Sequence, residues 1–286
     1  MGAQDTVCPV LLSVVFPKNY AGSLSVGQAL FGLGSFAAPF LIGLLLAGDI
    51  PFYYAYYSLL LVPAIMLLCM PFVKLKIKKP KEEEEKRIRP LYVKRKVLTY
   101  AALIVLCASY SAAVSTLNLY ISSFAGSIGI SEVKSAFMLT VYNIGAVIGS
   151  LVFAFVLKKI KAETVLLFNN LCAFLIISIA LIVNIAEIYF AGMFFAGFFL
   201  GVLFSSIVSV TTRIGYRHIS IAGSLVATTG GISDILTPVI TGFLVSQLGV
   251  GFSFIYAIIM IVLSILAAAV LQCNTTEKEG GSLRWQ

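Results

Sequence analysis

Charge is scarce in this sequence. Only 11% of its 286 residues are Asp, Glu, Lys or Arg, while 60% are hydrophobic. A soluble domain is about one-quarter charged, and so apolar a chain could not cover its own surface with polar groups in water. There is a single histidine, His218, and the five cysteines (Cys8, Cys69, Cys107, Cys172 and Cys273) are scattered, mostly inside apolar runs. No CxxC or Cys/His cluster occurs, so spacing points to neither a metal centre nor a disulfide framework. GxGxxG and GxxxxGK[ST] loops are also missing, as is any Ser/His/Asp arrangement. The expectation is a non-enzyme without cofactor or metal, and ATP-driven work would need a separate subunit. The chain starts inside a hydrophobic stretch without a basic leader or cleavage site, so no signal peptide is expected.

What the sequence has in quantity is long apolar runs. A bilayer span takes about 20 such residues, and the candidates are 22–47, 52–73, 97–122, 135–158, 163–184, 187–212, 220–247 and 250–272. Val7 to Phe16 adds about half a span and reads as the end of a helix. The net charge of +8 does not point to nucleic acid, because eleven of the twenty Lys and Arg lie between Lys74 and Lys96. Loops 74–96, 158–163 and 213–218 are basic. The alternate loops 48–51, 185–187 and 248–250 carry no Lys or Arg, and 123–134 carries only Lys134. By the positive-inside rule the basic side, and the tail after Gln272, are expected to be cytoplasmic. The expected organisation is a partial N-terminal bundle at 1–73, a charged linker at 74–96, a six-helix bundle at 97–272 and a tail at 273–286.

An internal repeat supports a duplication. Ala21-Gly22-Ser23-Leu24 recurs as Ala222-Gly223-Ser224-Leu225. Pro39 and Gly43 recur as Pro238 and Gly242, and Phe52-x-Tyr54-x-Tyr56 as Phe252-x-Phe254-x-Tyr256. The second half would hold six helices, and residues 1–73 would match the last two of six plus the end of the one before.

Charge in hydrocarbon is costly, so intramembrane carboxylates are candidate functional groups. Asp5 lies 11 residues before Phe16, roughly 16 Å along a helix and near mid-membrane; it could load and release a proton, or simply be a polar chain end. Asp234 sits mid-span, four residues before Pro238; it could be a proton or cation site, or a carboxylate held by Thr, Ser or a carbonyl freed by the proline. Gln28, Asn118, Tyr142, Asn143 and Thr229 are candidate solute contacts, with Tyr110, Ser115, Ser205 and Ser206 as further polar groups in the spans. Hydrogen bonding between helices is the competing reading for each of these side chains. Gly145-x-x-x-Gly149 and Gly197-x-x-x-Gly201 read as close-packing sites.

Asp5-Thr6, Phe16-Pro17 and Gln28-Ala29-Leu30-Phe31-Gly32-Leu33-Gly34 resemble the major facilitator superfamily, and within it the fucose–galactose–glucose:proton symporter branch. The resemblance implies an all-α integral membrane protein with the major facilitator fold. It would comprise a complete C-terminal six-helix bundle plus about two and a half helices of the N-terminal one. It also implies a proton-coupling role for Asp5 and a sugar-facing Gln28. The branch commonly has Asn-Pro shortly after the acid, where this sequence has Cys8-Pro9, and the family's helix one with its second carboxylate has no counterpart here.

The sequence therefore leads to a secondary transporter of a small polar solute, a sugar or related metabolite, moved with protons by alternating access. Expected partners are the solute, protons and the lipid bilayer of the plasma membrane; no nucleic acid is expected, and the chain is expected to be a monomer. An efflux antiporter for apolar cations is the second reading, to which the Gly34–Gly43 pattern is loosely similar. A non-transporting membrane fragment is the third.

Overall fold

The computed structural model describes residues 8, 11–12, 15–16, 20–47, 54, 57, 60, 63–65, 67–68, 71, 91–183, 185–215 and 219–277. Asp5, most of the 52–73 span and most of the 74–96 linker lie outside the described residues. The helices are α1 Tyr20–Ala47, α2 Lys96–Ser127, α3 Glu132–Val156, α4 Ala162–Val183, α5 Ala186–Leu200, α6 Leu203–Ile214, α7 Ile219–Leu248 and α8 Gly251–Asn274. Strands β1, Leu91–Val93, and β2, Thr275–Glu277, form a two-stranded antiparallel sheet.

Among the described residues, six apolar segments are long enough to cross a bilayer: 96–127, 137–156, 162–183, 186–214, 221–248 and 251–274. They match the last six expected spans within a few residues. The apolar surface faces outward, with Val97 86% and Ile182 81% exposed, as lipid-facing helices require and water would not tolerate.

Inside, α2 packs along α8 and α7, and α4 along α5 and α8. Leu106, Leu117, Ile121, Ile177 and Met193 are fully buried between them. The starts of α2, α4 and α7 and the ends of α3, α6 and α8 share one end, which carries Lys158, Lys159, Lys161 and Arg213 and is called the basic end below. At the far end Phe124 stacks near Tyr189 and Phe254, with centroids 5.5 and 4.4 Å away. The Tyr189 hydroxyl donates to Ile121 O at 3.3 Å, satisfying a phenol that would otherwise be orphaned in the core.

Two features depart from the sequence reading. The expected span 187–212 is interrupted: α5 ends at Leu200 and α6 begins at Leu203, with Gly201 N still bonded to Gly197 O and Ser206 N to Val202 O. The end of the 74–96 stretch is not all linker, since Leu91, Tyr92 and Val93 pair with Glu277, Thr276 and Thr275, and Lys94 N bonds Asn274 O at 3.0 Å. This strap joins the start of α2 to the end of α8. Three-residue strands are too short to show an alternating pattern.

The two GxxxG sequences meet each other. An added Cβ at Gly145 or Gly149 would strike the backbone of Phe194 or Phe198 on α5, and one at Gly197 would strike the Tyr142 carbonyl on α3. At Gly201 it would lie 2.5 Å from Ala146 O. Helices associate in lipid through van der Waals packing, which small residues permit by bringing backbones together.

Candidate functional site

The central group is Asp234, at the middle of α7. Ser115 Oγ on α2 donates to Asp234 Oδ1 at 2.6 Å. Cys107 Sγ on α2 reaches Val226 O on α7 at 3.4 Å. Both pairs are 119 positions apart, so α2 and α7 run parallel in constant register. Gly230 supports the close approach, since a Cβ there would lie 3.2 Å from Ser111 Oγ. Ser233 Oγ donates to Ala108 O at 2.7 Å, fixing the turn that carries Asp234. Asp234 is nonetheless exposed, as are Ile235, Leu236 and Val239 around this part of α7. A carboxylate roughly 22 Å from the basic end of a 45 Å helix lies at mid-membrane depth, and among the described residues Ser115 is the hydrogen-bond donor that reaches it.

Tyr110 and Tyr142 form the flank. Both are buried, at 7% and 3% exposure. They lie within electrostatic reach of each other, and Tyr110 also of Asp234. Tyr110 abuts the backbone of Phe204, just past the α5–α6 interruption. Broken helices beside a binding site are a recurring device of secondary transporters.

The other candidates are distributed differently. Asn118 is exposed, and its Nδ2 donates to Val114 O of its own helix at 2.9 Å. Thr229 is half-buried, five residues before Asp234. Gln28 is half-buried on α1 between Ser25 and Gly32. Ser25 Oγ lies 2.7 Å from Ser205 Oγ on α6, and a Cβ at Gly32 would lie 2.8 Å from Val147 Cγ2 on α3. Gln28 therefore shares the stripe of α1 that is turned to the later helices. Asn143 is half-buried, one turn before Val147. Because α1 and α3 run in opposite directions, Gln28 and Asn143 fall on opposite sides of that crossing, roughly 12 Å apart along the axis.

Many hydroxyls serve their own helix. Ser205, Thr211 and Thr212 donate to Val202, Ile207 and Val208 carbonyls at 2.8 Å each, which satisfies them without a ligand. Sequence reasoning passed over three buried polar groups on α4. Glu163, 5% exposed, faces Arg213 at 3.8 Å. Asn169 and Asn170 are buried, and among the described residues Asn169 has no hydrogen-bond partner on either amide atom. The adjacent amides in an apolar run were the available signal.

The Ser25–Ser205 contact ties α1 to the later bundle, and a cysteine pair tests it. With the native cysteines replaced, Ser25→Cys/Ser205→Cys is expected to oxidise to a disulfide, since the oxygens already lie at 2.7 Å and an S–S bond needs about 2.05 Å. The measurement is gel mobility after tryptic cleavage in the 74–96 linker, with and without reductant. Fragments that separate under oxidising conditions would contradict the packing of α1 on α6.

A sequence model of the Major Facilitator Superfamily matches residues 1–213 and, overlapping, 109–285. The chain belongs to that superfamily. It is 24% identical over 276 residues to the uncharacterized MFS-type transporter YfkL of Bacillus subtilis (strain 168), covering 94% of this chain and 69% of YfkL. Among solved structures it resembles FucP, a Major Facilitator Superfamily transporter in the outward conformation. The TM-score is 0.73 and the identity 12%, over 93% of this chain and 72% of FucP. The fold is thus the one the family resemblance implies: an all-α membrane protein of the major facilitator type, and the family consists of transporters.

Proposed function

We propose that this protein moves a small polar solute across a membrane by alternating access, with proton movement coupled through Asp234. The observation that carries the reading is the Ser115–Asp234 hydrogen bond, 2.6 Å long between two otherwise apolar helices at mid-span. A lone carboxylate at that depth is expensive to keep and is usually retained for function. Its exposure on α7 leaves it open to protons and solute, while Ser115 holds its orientation. Tyr110, Tyr142 and Thr229 supply hydroxyls nearby. Gln28 supplies an amide on the opposing helix, and the implied role of Asp5 would add a second proton site. A sugar or related metabolite fits such a set of hydroxyl and amide partners. The basic end is taken as cytoplasmic in the plasma membrane, and the carrier as a monomer.

Protonation changes which contacts Asp234 makes, and a ligand or proton shifts the balance between facing states only through such a difference. The two halves touch toward the basic end through Ser25–Ser205 and Gly32–Val147, so access from that end is narrowed in this state.

The buried aromatic Tyr110 within electrostatic reach of Asp234, with Tyr142 behind it, favours a second reading, an antiporter of apolar cations. Proteoliposomes containing the protein decide between them. Inward accumulation of a neutral sugar when the outside is made acidic supports symport. Proton efflux evoked by an apolar cation, with no sugar uptake, supports the antiporter instead. No flux of either kind across a panel of solutes contradicts both.

A further inference from the structure

We propose that a crevice at the basic end, between α1, α3 and the side chains of Cys8, Leu12 and Phe16, retains one anionic phospholipid. Its headgroup phosphate would rest on Lys158 and an acyl chain would lie along Val26 and Leu30. The crevice encloses about 550 Å3 and is walled by Leu12, Phe16, Val26, Leu30, Phe155 and Lys158 among others. Among the described residues Lys158 is the one charged side chain lining it. The wall residues Phe16, Val26, Leu30 and Phe155 are 51%, 42%, 64% and 68% exposed, and Gln28, Asn143 and Asp234 are not among the described residues that line the crevice, so its occupant is taken to come from the bilayer rather than from the solute path. The crevice reaches from Gly22 to Leu30, roughly 12 Å into the apolar layer.

The charge pattern selects the occupant. Lys158 Nζ lies 4.9 Å from the Phe155 ring centre, folded back over the crevice mouth. Lys159 and Lys161 follow on the same exposed loop. The nearest acid in sequence, Glu163, is buried and faces Arg213 at 3.8 Å, so it does not cancel them. Apolar depth capped by several cations at membrane-surface level is complementary to an anionic lipid, and a zwitterionic headgroup brings a cation into the same cluster. The site lies on the seam where α1 packs on α3, so its occupant would wedge between elements that move relative to each other in alternating access.

Purified protein exchanged into detergent with equal dioleoyl-phosphatidylglycerol and dioleoyl-phosphatidylcholine tests this by native mass spectrometry. The expected result is retention of one phosphatidylglycerol in preference to phosphatidylcholine by about fivefold, roughly the worth of one lysine at an anionic surface. Lys158→Ala should abolish the preference and Lys158→Arg should keep it; both are surface changes that should leave the protein monodisperse. Leu30→Trp, which fills the crevice, should reduce retention of the lipid while Lys158 remains. Equal retention of the two lipids, or a preference untouched by Lys158→Ala, would overturn the proposal. So would displacement of the lipid by millimolar inorganic phosphate, which would make the site one for free phosphate.

Discussion

Asp234→Asn is expected to collapse proton-driven accumulation while leaving exchange of the solute across the membrane intact. Asn is nearly the same size, and its carbonyl can still accept the bond that Ser115 donates at 2.6 Å. It cannot take up and release a proton. With one pH unit across the membrane and one proton moved per solute, the wild-type protein should sustain about tenfold accumulation, the equivalent of about 1.4 kcal/mol. The variant should settle near a ratio of one. Ser115→Ala should be milder. It removes one hydrogen bond to a charged acceptor, worth about 1.5–3 kcal/mol, so several-fold slower uptake with accumulation retained is the expected result. Radiolabelled solute uptake and counterflow in proteoliposomes measure both. Full pH-driven accumulation by Asp234→Asn would remove this residue from coupling and leave it a structural group tying α7 to α2.

Gly145→Leu is expected to be the most damaging single change in the later bundle. The Cβ alone would strike the Phe194 carbonyl, and that atom belongs to a helix backbone rather than to a flexible side chain. Overpacking a tight site costs typically 1–3 kcal/mol and occasionally more, and here α3 and α5 must separate along their whole contact. The expected outcome is a loss of monodisperse protein, or a fall in midpoint of several degrees in a thermal-shift measurement. Gly34→Ala is the control. Among the described residues nothing lies within 4 Å of a Cβ at that position, and alanine is preferred over glycine in a helix. Equal stability of the two variants would mean that α3 and α5 do not cross at the paired glycines.

Much of the architecture was legible in one dimension. In hydrocarbon each spanning segment must satisfy its backbone internally, so an apolar run of about 20 residues already implies a helix. That is why spans such as 97–122 and 220–247 correspond to α2 and α7 with small shifts at the ends. The repeated segments, Ala21–Leu24 against Ala222–Leu225 among them, are visible only as sequence, because repeated small residues keep their spacing along the chain. The GxxxG sequences showed that two close contacts should exist, but not that Gly145 and Gly149 lie against the segment holding Gly197 and Gly201.

The sequence by itself determined that the protein lives in a bilayer, where its helices run, which end collects the basic residues and which mid-span acid is worth attention. Hydropathy, spacing and charge are properties of position along the chain, and they survive without knowledge of neighbours. The tertiary structure decided what each side chain faces. It brought Ser115 to Asp234 across 119 positions, set Ser25 against Ser205, turned the Asn118 amide back onto its own helix and strapped Leu91–Val93 to Thr275–Glu277. Those outcomes depend on the rotation of each helix about its axis and on which helices become neighbours. Packing between surfaces fixes both, and no local pattern along the chain encodes them.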